Sequence, residues 1–274
     1  MTETTQKFKK AQDFLDYLQK QGIICFSKKD ICAHLDISNS AMLLSLRRQA
    51  LKGRIIRIHK DFYVIIPVEY QDVGSPPPEW FINQFMEFMR TRYYVGLLSA
   101  ASLHGAAHQQ PMQFQVMSEG LSFREIKAGR THIRFFTKHR IPDIGIEKKK
   151  TISGYINVSS PELTIYDLVR YPSASGQLNN IATIIEELSG NLNARLLVDI
   201  AKASVSERGE MIYWQRLGYI LDFVGAEKKA NQLAQWVQSH KASFGYLVRS
   251  GSEETVSRND RWSLYINTEL ETDI

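Results

Sequence analysis

Cysteine is scarce in this 274-residue sequence, with only Cys25 and Cys32 present. Seven residues apart in a chain of this length, they do not make a disulfide framework, and a zinc site wants four ligands. No stretch approaches the roughly 18 uncharged apolar residues of a membrane-spanning helix. The opening residues, MTETTQKFKKAQDF, hold no apolar core of signal-peptide length. No P-loop, G-x-G-x-x-G or G-x-S-x-G motif occurs, and neither does an internal repeat or low-complexity tract. Together these absences predict a cytoplasmic protein with reduced thiols, no membrane association, no cofactor, no metal and no enzymatic activity.

What is present suits a packed protein. Apolar residues make up 43% and charged residues 23%, enough to bury a core and too little charge for general disorder. The length accommodates two domains. The net charge of +5 is unevenly placed: residues 1–70 hold 12 Lys/Arg against 7 Asp/Glu, whereas residues 71–274 hold 22 of each. A basic small head beside a neutral larger body suits contact with a polyanion.

Phe8, Ala11, Phe14, Leu15 and Leu18 recur at spacings of three and four, predicting a helix over 6–22 that Gly22 ends. Ile23, Ile24 and Phe26 form an extended link. Ser27 with Asp30 three residues on resembles a capping box for a second helix. Ser38 or Asn39 then caps a third helix to about Lys52, stopped by Gly53. Two strands, 54–58 and 62–66, follow around a turn at His59-Lys60-Asp61. This is the order of a winged helix-turn-helix, predicted for residues 1–70. "GSPPPEW", 74–80, predicts a proline-stiffened connector, and residues 71–79 are therefore assigned as linker. Residues 80–274 are expected to form a larger mixed α/β domain, making the whole α+β. Its expected helices are 79–92, 99–108, 160–170, 179–188, 193–202, 212–223 and 227–239. Its expected strands are 114–118, 132–137, 152–158 and 262–267.

A helical wheel over 39–52 places Met42, Leu43, Leu46 and Ala50 on one face, to pack on the preceding helices. Ser40, Leu44, Arg47 and Arg48 fall on the other. Such a helix suits the DNA major groove, with Ser38, Asn39 and Ser40 at its start permitting close approach. Arg54 and Arg57 on the first strand, with His59 and Lys60 at the hairpin tip, add phosphate contacts. The candidate DNA-binding residues are therefore Ser38, Asn39, Ser40, Leu44, Arg47, Arg48, Arg54, Arg57, His59 and Lys60. The competing interpretation is a protein-interaction module or a stand-alone regulator, with Leu44 as a protein contact.

Two further constellations carry a weaker signal. His104 and His108 stand four apart, but Gly105 occupies the place where a zincin has its glutamate, so an ordinary helix end is expected. Asp143, Glu147 and Lys149 in "PDIGIEKKK" are too close in sequence for the two adjacent strands of a metal nuclease, so a solvated loop is expected.

The larger region carries a further pattern. "YYVGLLSAASLHGAAHQQPMQFQVM" (93–117) resembles the signature of AbiEi-type antitoxins, the antitoxin and repressor half of AbiE abortive-infection systems. Tyr94, Ser99, Ala100, His104, Gly105, Gln110 and Pro111 carry the likeness. "VSSPELTIYDLVRYP" (158–172) adds Glu162, Thr164, Asp167, Leu168 and Pro172; "QRLGYILDFVG" (215–225) and "RWSLYIN" (261–267) resemble later landmarks. The resemblance implies a winged-helix head that binds repeats at its own promoter and represses its operon. It also implies a C-terminal domain that counteracts a nucleotidyltransferase-like toxin, with no stable complex required. One departure stands at the hairpin, where the family often has Arg-Gly-x-Tyr and this chain has Lys60-Asp61-Phe62-Tyr63. An aspartate there weakens the local positive field.

Overall fold

The computed structural model describes residues 6–106, 111–204, 209–249 and 256–272. The chain mixes helices and sheets and divides into two compact units. One comprises Met1–Tyr93, Met112–His139 and Lys148–Asn157; the other comprises Tyr94–Pro111, Arg140–Glu147 and Val158–Ile274.

The first unit begins with three helices, α1 (Ala11–Lys20), α2 (Lys28–His34) and α3 (Asn39–Leu51), and a small antiparallel sheet. The sheet pairs β1 (Cys25–Ser27) with β3 (Phe62–Ile65), and β3 with β2 (Ile55–His59). The first helix is shorter than its apolar spacing suggested, because Phe8 instead makes a bridge to Leu35, with Phe8 N donating to the His34 carbonyl at 2.8 Å. Gly22 ends the segment in the left-handed region at φ 70°. The expected capping box is present: Asp30 N donates to Ser27 Oγ at 3.2 Å, and Ser27 N to Asp30 Oδ2 at 2.7 Å. Phe14, Leu15 and Leu18 of α1, Ile31 of α2, Met42 and Leu46 of α3, and Phe26, Ile55, Tyr63 and Ile65 of the sheet form one core. Truncating a wholly buried ring such as Phe14 to Ala would cost about 3–5 kcal/mol.

A six-stranded sheet has the order β6-β7-β5-β4-β9-β8. Its strands are β4 (Tyr93–Val95), β5 (Phe114–Glu119), β6 (Ile126–Ala128), β7 (Thr131–Lys138), β8 (Ile146–Thr151) and β9 (Gly154–Ser159). Strands β5 and β7 run parallel, and β6 and β7 antiparallel. The stretch expected as a solvated lysine-bearing loop is mostly β8, an edge strand. Exposed Lys148 and Lys150 there oppose pairing with a foreign strand. The helix expected over 79–92 reduces to α4 (Ile82–Phe88), preceded by a single 3-10 turn at Pro78–Trp80.

The proline-rich stretch is packed within the first unit rather than strung out as an open linker. Ser75 is buried, and its hydroxyl donates to Thr131 Oγ1 at 2.9 Å. A Cβ on Gly129, at φ 58°, would stand 2.3 Å from the Val73 carbonyl oxygen, so the two turns approach as only glycine permits.

The second unit is mostly helical: α5 (Leu97–Leu103), α6 (Pro161–Arg170), α7 (Gln177–Ser189), α8 (Ala194–Ser204), α9 (Met211–Phe223) and α10 (Glu227–Ser239). A small sheet joins β10 (Gly245–Tyr246), β12 (Leu264–Ile266) and β11 (Ser257–Asn259), in that order. Helix α6 is central. Ser160 caps it by accepting from Leu163 N, Pro161 opens it, and every residue from Glu162 to Val169 is buried. Tyr166 stacks on Trp214 at 4.1 Å between ring centroids. Trp262, expected on a strand, lies in a turn and is wholly buried, and its indole donates to Asp222 Oδ2 at 2.6 Å.

Candidate nucleic-acid interface

Helix α3 is built to show one side to solvent. Its buried residues are Met42, Leu46 and Gln49, spaced four and three, rather than the Met42, Leu43, Leu46 and Ala50 expected from the wheel. The core-facing stripe is rotated toward Gln49, leaving Leu43 42% and Leu44 50% exposed. Gln49 takes the place of Ala50 in that stripe, and its backbone carbonyl accepts from Arg54 N at 3.1 Å, closing the helix-to-strand turn.

The start of α3 is polar and open. Ser38 caps it, accepting from Ala41 N at 3.3 Å and lying 3.2 Å from the Ser40 hydroxyl. Ser38, Asn39 and Ser40 are all exposed. Arg47 and Arg48 are exposed and make no ion pair among the described residues. Arg48 also borders an open cleft of about 550 Å³ between the beginning of α1 and the second half of α3. Lys10 and Lys52 line it too, and no acidic residue does. These two lysines were not among the sequence candidates, although Lys52 sits one helical turn beyond Arg48, a spacing that places both on one side.

The hairpin divides its cations. Arg54 is not free: its Nη2 donates to Asp16 Oδ1 at 2.6 Å and to Gln19 Oε1 at 3.0 Å, tying the first strand to α1. Arg57 is exposed, directly across the ladder from Tyr63. Burial raises the Tyr63 pKa, partly offset by the Arg57 charge and its hydrogen bond. His59, expected in the turn, ends β2 after a bulge. Its ring leans on Phe85 and Phe88 of α4, at 6.0 and 6.5 Å. The turn is thus Lys60-Asp61, with Asp61 in the left-handed region at φ 63°, and Lys60 is its exposed cation. Ser38, Asn39, Ser40, Leu44, Arg47, Arg48, Arg57, His59 and Lys60 therefore reach solvent, His59 with its ring also against α4, while Arg54 is committed to α1.

Elsewhere, the polar residues of the longer motifs hold the second unit together. Tyr94 donates to Asp167, His104 Nε2 lies 2.7 Å from the Ser159 carbonyl, and Glu162 Oε1 accepts from Asn193 N at 2.6 Å. Gly218 lies against Trp262, whose ring would stand 2.1 Å from an added Cβ. His108 and Gln110 lie outside the described residues. Asp143 is ion-paired with Arg140 at 3.4 Å and Glu147 is exposed on β8. Among the described residues no three His, Cys, Asp or Glu side chains are grouped to hold a metal. No described helix is long and apolar enough to cross a membrane.

Residues 94–223 match the family model described as the AbiEi antitoxin C-terminal domain. No curated protein matches the sequence. The crystal structure of the RV2827C protein from Mycobacterium tuberculosis is similar, with a TM-score of 0.66 at 14% sequence identity, over 96% of this chain and 93% of that one. At that identity the likeness concerns the fold.

Proposed function

We propose that this chain, whose residues 94–223 match the AbiEi antitoxin C-terminal domain, is an antitoxin that also represses its own operon by binding promoter DNA. On this reading the three N-terminal helices and hairpin act as a winged helix-turn-helix. The exposed side of α3 enters the major groove, with Arg47 and Arg48 on phosphates or guanine edges. Arg57 and Lys60 extend the contact along the backbone as the wing. Arg54 acts indirectly, by holding the hairpin to α1 so that wing and helix keep a fixed spacing.

The observation that carries this reading is the outward, unpaired placement of Arg47 and Arg48 on a serine-capped helix, next to an acid-free cleft lined by Lys10 and Lys52. No catalytic chemistry is required. The partner of the second unit is a nucleotidyltransferase-like toxin, counteracted without a requirement for a lasting complex, and the setting is the cytoplasm. Binding of the full chain to the DNA preceding its own reading frame tests the proposal. The wild type should shift that duplex and repress a reporter driven by it, and Arg47→Ala with Arg48→Ala should do neither while keeping its fold.

The half-exposed Leu43 and Leu44 favour a second reading, in which α3 docks another protein. Loss of a protein partner on Leu44→Asp, with no duplex binding by the wild type, is the result that reading requires.

A further inference from the structure

A strip of alternating guanidinium and aromatic groups runs across the second unit. Arg170 and Arg216 both lie over the Tyr213 ring, at 6.0 and 5.8 Å. Arg216 then donates through Nε and Nη2 to the Tyr246 carbonyl, at 3.1 and 2.8 Å. The Tyr246 ring meets Tyr265 at 5.4 Å, Tyr265 meets Phe244 at 5.2 Å, and Arg258 covers Phe244 at 4.3 Å.

The charges along this strip are not equally satisfied. Arg170 is paired with Glu210 at 2.8 Å, and Arg258 with Asp260 at 2.7 Å. Arg216 and Arg249 have no acidic partner among the described residues. Arg216 is partly buried, and both that burial and the nearby Arg249 charge work against its protonated state. Among the described residues neither arginine has a carboxylate partner, and a bound anion would offset their mutual repulsion. A guanidinium has five donors, and the Tyr246 carbonyl engages only two of Arg216's nitrogens. Beside this pair, the Tyr246 side chain is 48% exposed. The strand beneath is fixed, with Leu247 N donating to the Tyr265 carbonyl at 2.9 Å and Val248 N to Asn267 Oδ1 at 3.1 Å.

We propose that the face formed by Arg216, Tyr246 and Arg249 binds single-stranded nucleic acid, with phosphates on the two arginines and a base on the exposed Tyr246 ring. Cations without an acidic partner select a polyanion, and the open Tyr246 ring beside them accepts a base of any sequence. A duplex keeps its base faces stacked and offers no such contact. An acidic peptide would satisfy the arginines but leave the ring without a partner of matching shape. This site shares no residue with the α3 surface and does not depend on the repressor reading.

The test is fluorescence anisotropy of the full chain with a labelled single strand of about 12 nucleotides, as RNA and as DNA. The operator duplex serves as the parallel probe. Tyr246→Ala keeps the backbone carbonyl that holds Arg216, and Arg249→Glu alters an exposed side chain, so both should keep the wild-type circular dichroism. Each should weaken single-strand binding about tenfold or more, with duplex binding unchanged. Arg47→Ala with Arg48→Ala should leave single-strand binding intact. Absence of single-strand binding in the wild type overturns the proposal, as does unchanged binding in both tyrosine and arginine variants. Loss confined to the α3 variant overturns it too, by moving the single strand to the helix.

Discussion

The Tyr94 hydroxyl donates to Asp167 Oδ2 at 2.6 Å, and both side chains are fully buried. Burial and the adjacent carboxylate raise the tyrosine pKa well above its ordinary value, so the phenol stays a donor throughout the physiological range. These two residues belong to separate sequence motifs, 73 positions apart. The contact explains structurally why an aromatic with a hydroxyl and an acid occupy those places.

Removing that hydroxyl takes a donor from a buried carboxylate. Tyr94→Phe should lower unfolding free energy by about 1.5–3 kcal/mol, read from urea denaturation of the full chain. A change below about 0.5 kcal/mol would show that the bond contributes little.

Gly218 is the second landmark with a steric cause. A Cβ there meets three carbons of the Trp262 ring between 2.1 and 2.4 Å. Gly218→Ala should cost about 1–3 kcal/mol or more, as other overpacked cores do. It should also alter the near-ultraviolet signal of Trp262, which a mere helix-propensity effect would leave unchanged.

The N-terminal elements were the most legible part of the sequence, because their signals are local. Ser27 with Asp30, Ser38, Gly22 and Gly53 act within one turn of themselves, and the helices and hairpin lie close to where they were expected. Strands β4, β6, β8, β10 and β11 were missed. All but β8 are only two or three residues long, too short for a clear alternation, and β4 depends on a partner far along the chain, Val95 pairing with Val158. The three prolines indicated an extended path, but the close approach of Gly74 to Gly129 is a long-range event that composition does not encode. Of the interface candidates, the exposed serines and arginines of α3 could be read from the wheel. Arg54 could not, because Asp16, its partner, is 38 residues away.

Arg54→Ala separates support from contact. Its ion pair with Asp16 is partly exposed, at 22% and 44%, so the loss of stability should be modest, about 0.2–1 kcal/mol. Duplex affinity should fall less than with Arg47→Ala, and Asp16→Ala should reproduce the same small fall without removing a cation. An unchanged affinity in Asp16→Ala alongside a large loss in Arg54→Ala would assign Arg54 a direct DNA contact.

Glu79 supplies a pH test. Its carboxylate is buried, Oε2 has no hydrogen-bond partner among the described residues, and burial raises its pKa from the ordinary 4.5. With the folded value raised, the neutral acid stabilises the fold below the unfolded pKa. That contribution is lost as pH rises through the folded value. Glu79→Gln should therefore raise Tm at pH 7, by about 2–4 °C if the gain is near 1 kcal/mol. The advantage should shrink toward zero as the pH falls below the ordinary carboxylate range. An equal gain at both ends of the titration would assign the effect to packing.

The most direct measurement of the central claim is the salt dependence of duplex affinity for the wild type and for Arg47→Ala with Arg48→Ala. Each neutralised phosphate contributes about 0.9 to the slope of log K against log salt. Two lost contacts should therefore flatten the slope by about 1.8 and weaken binding at every salt concentration. An identical slope and affinity in the two proteins would contradict the assignment of the α3 surface to DNA.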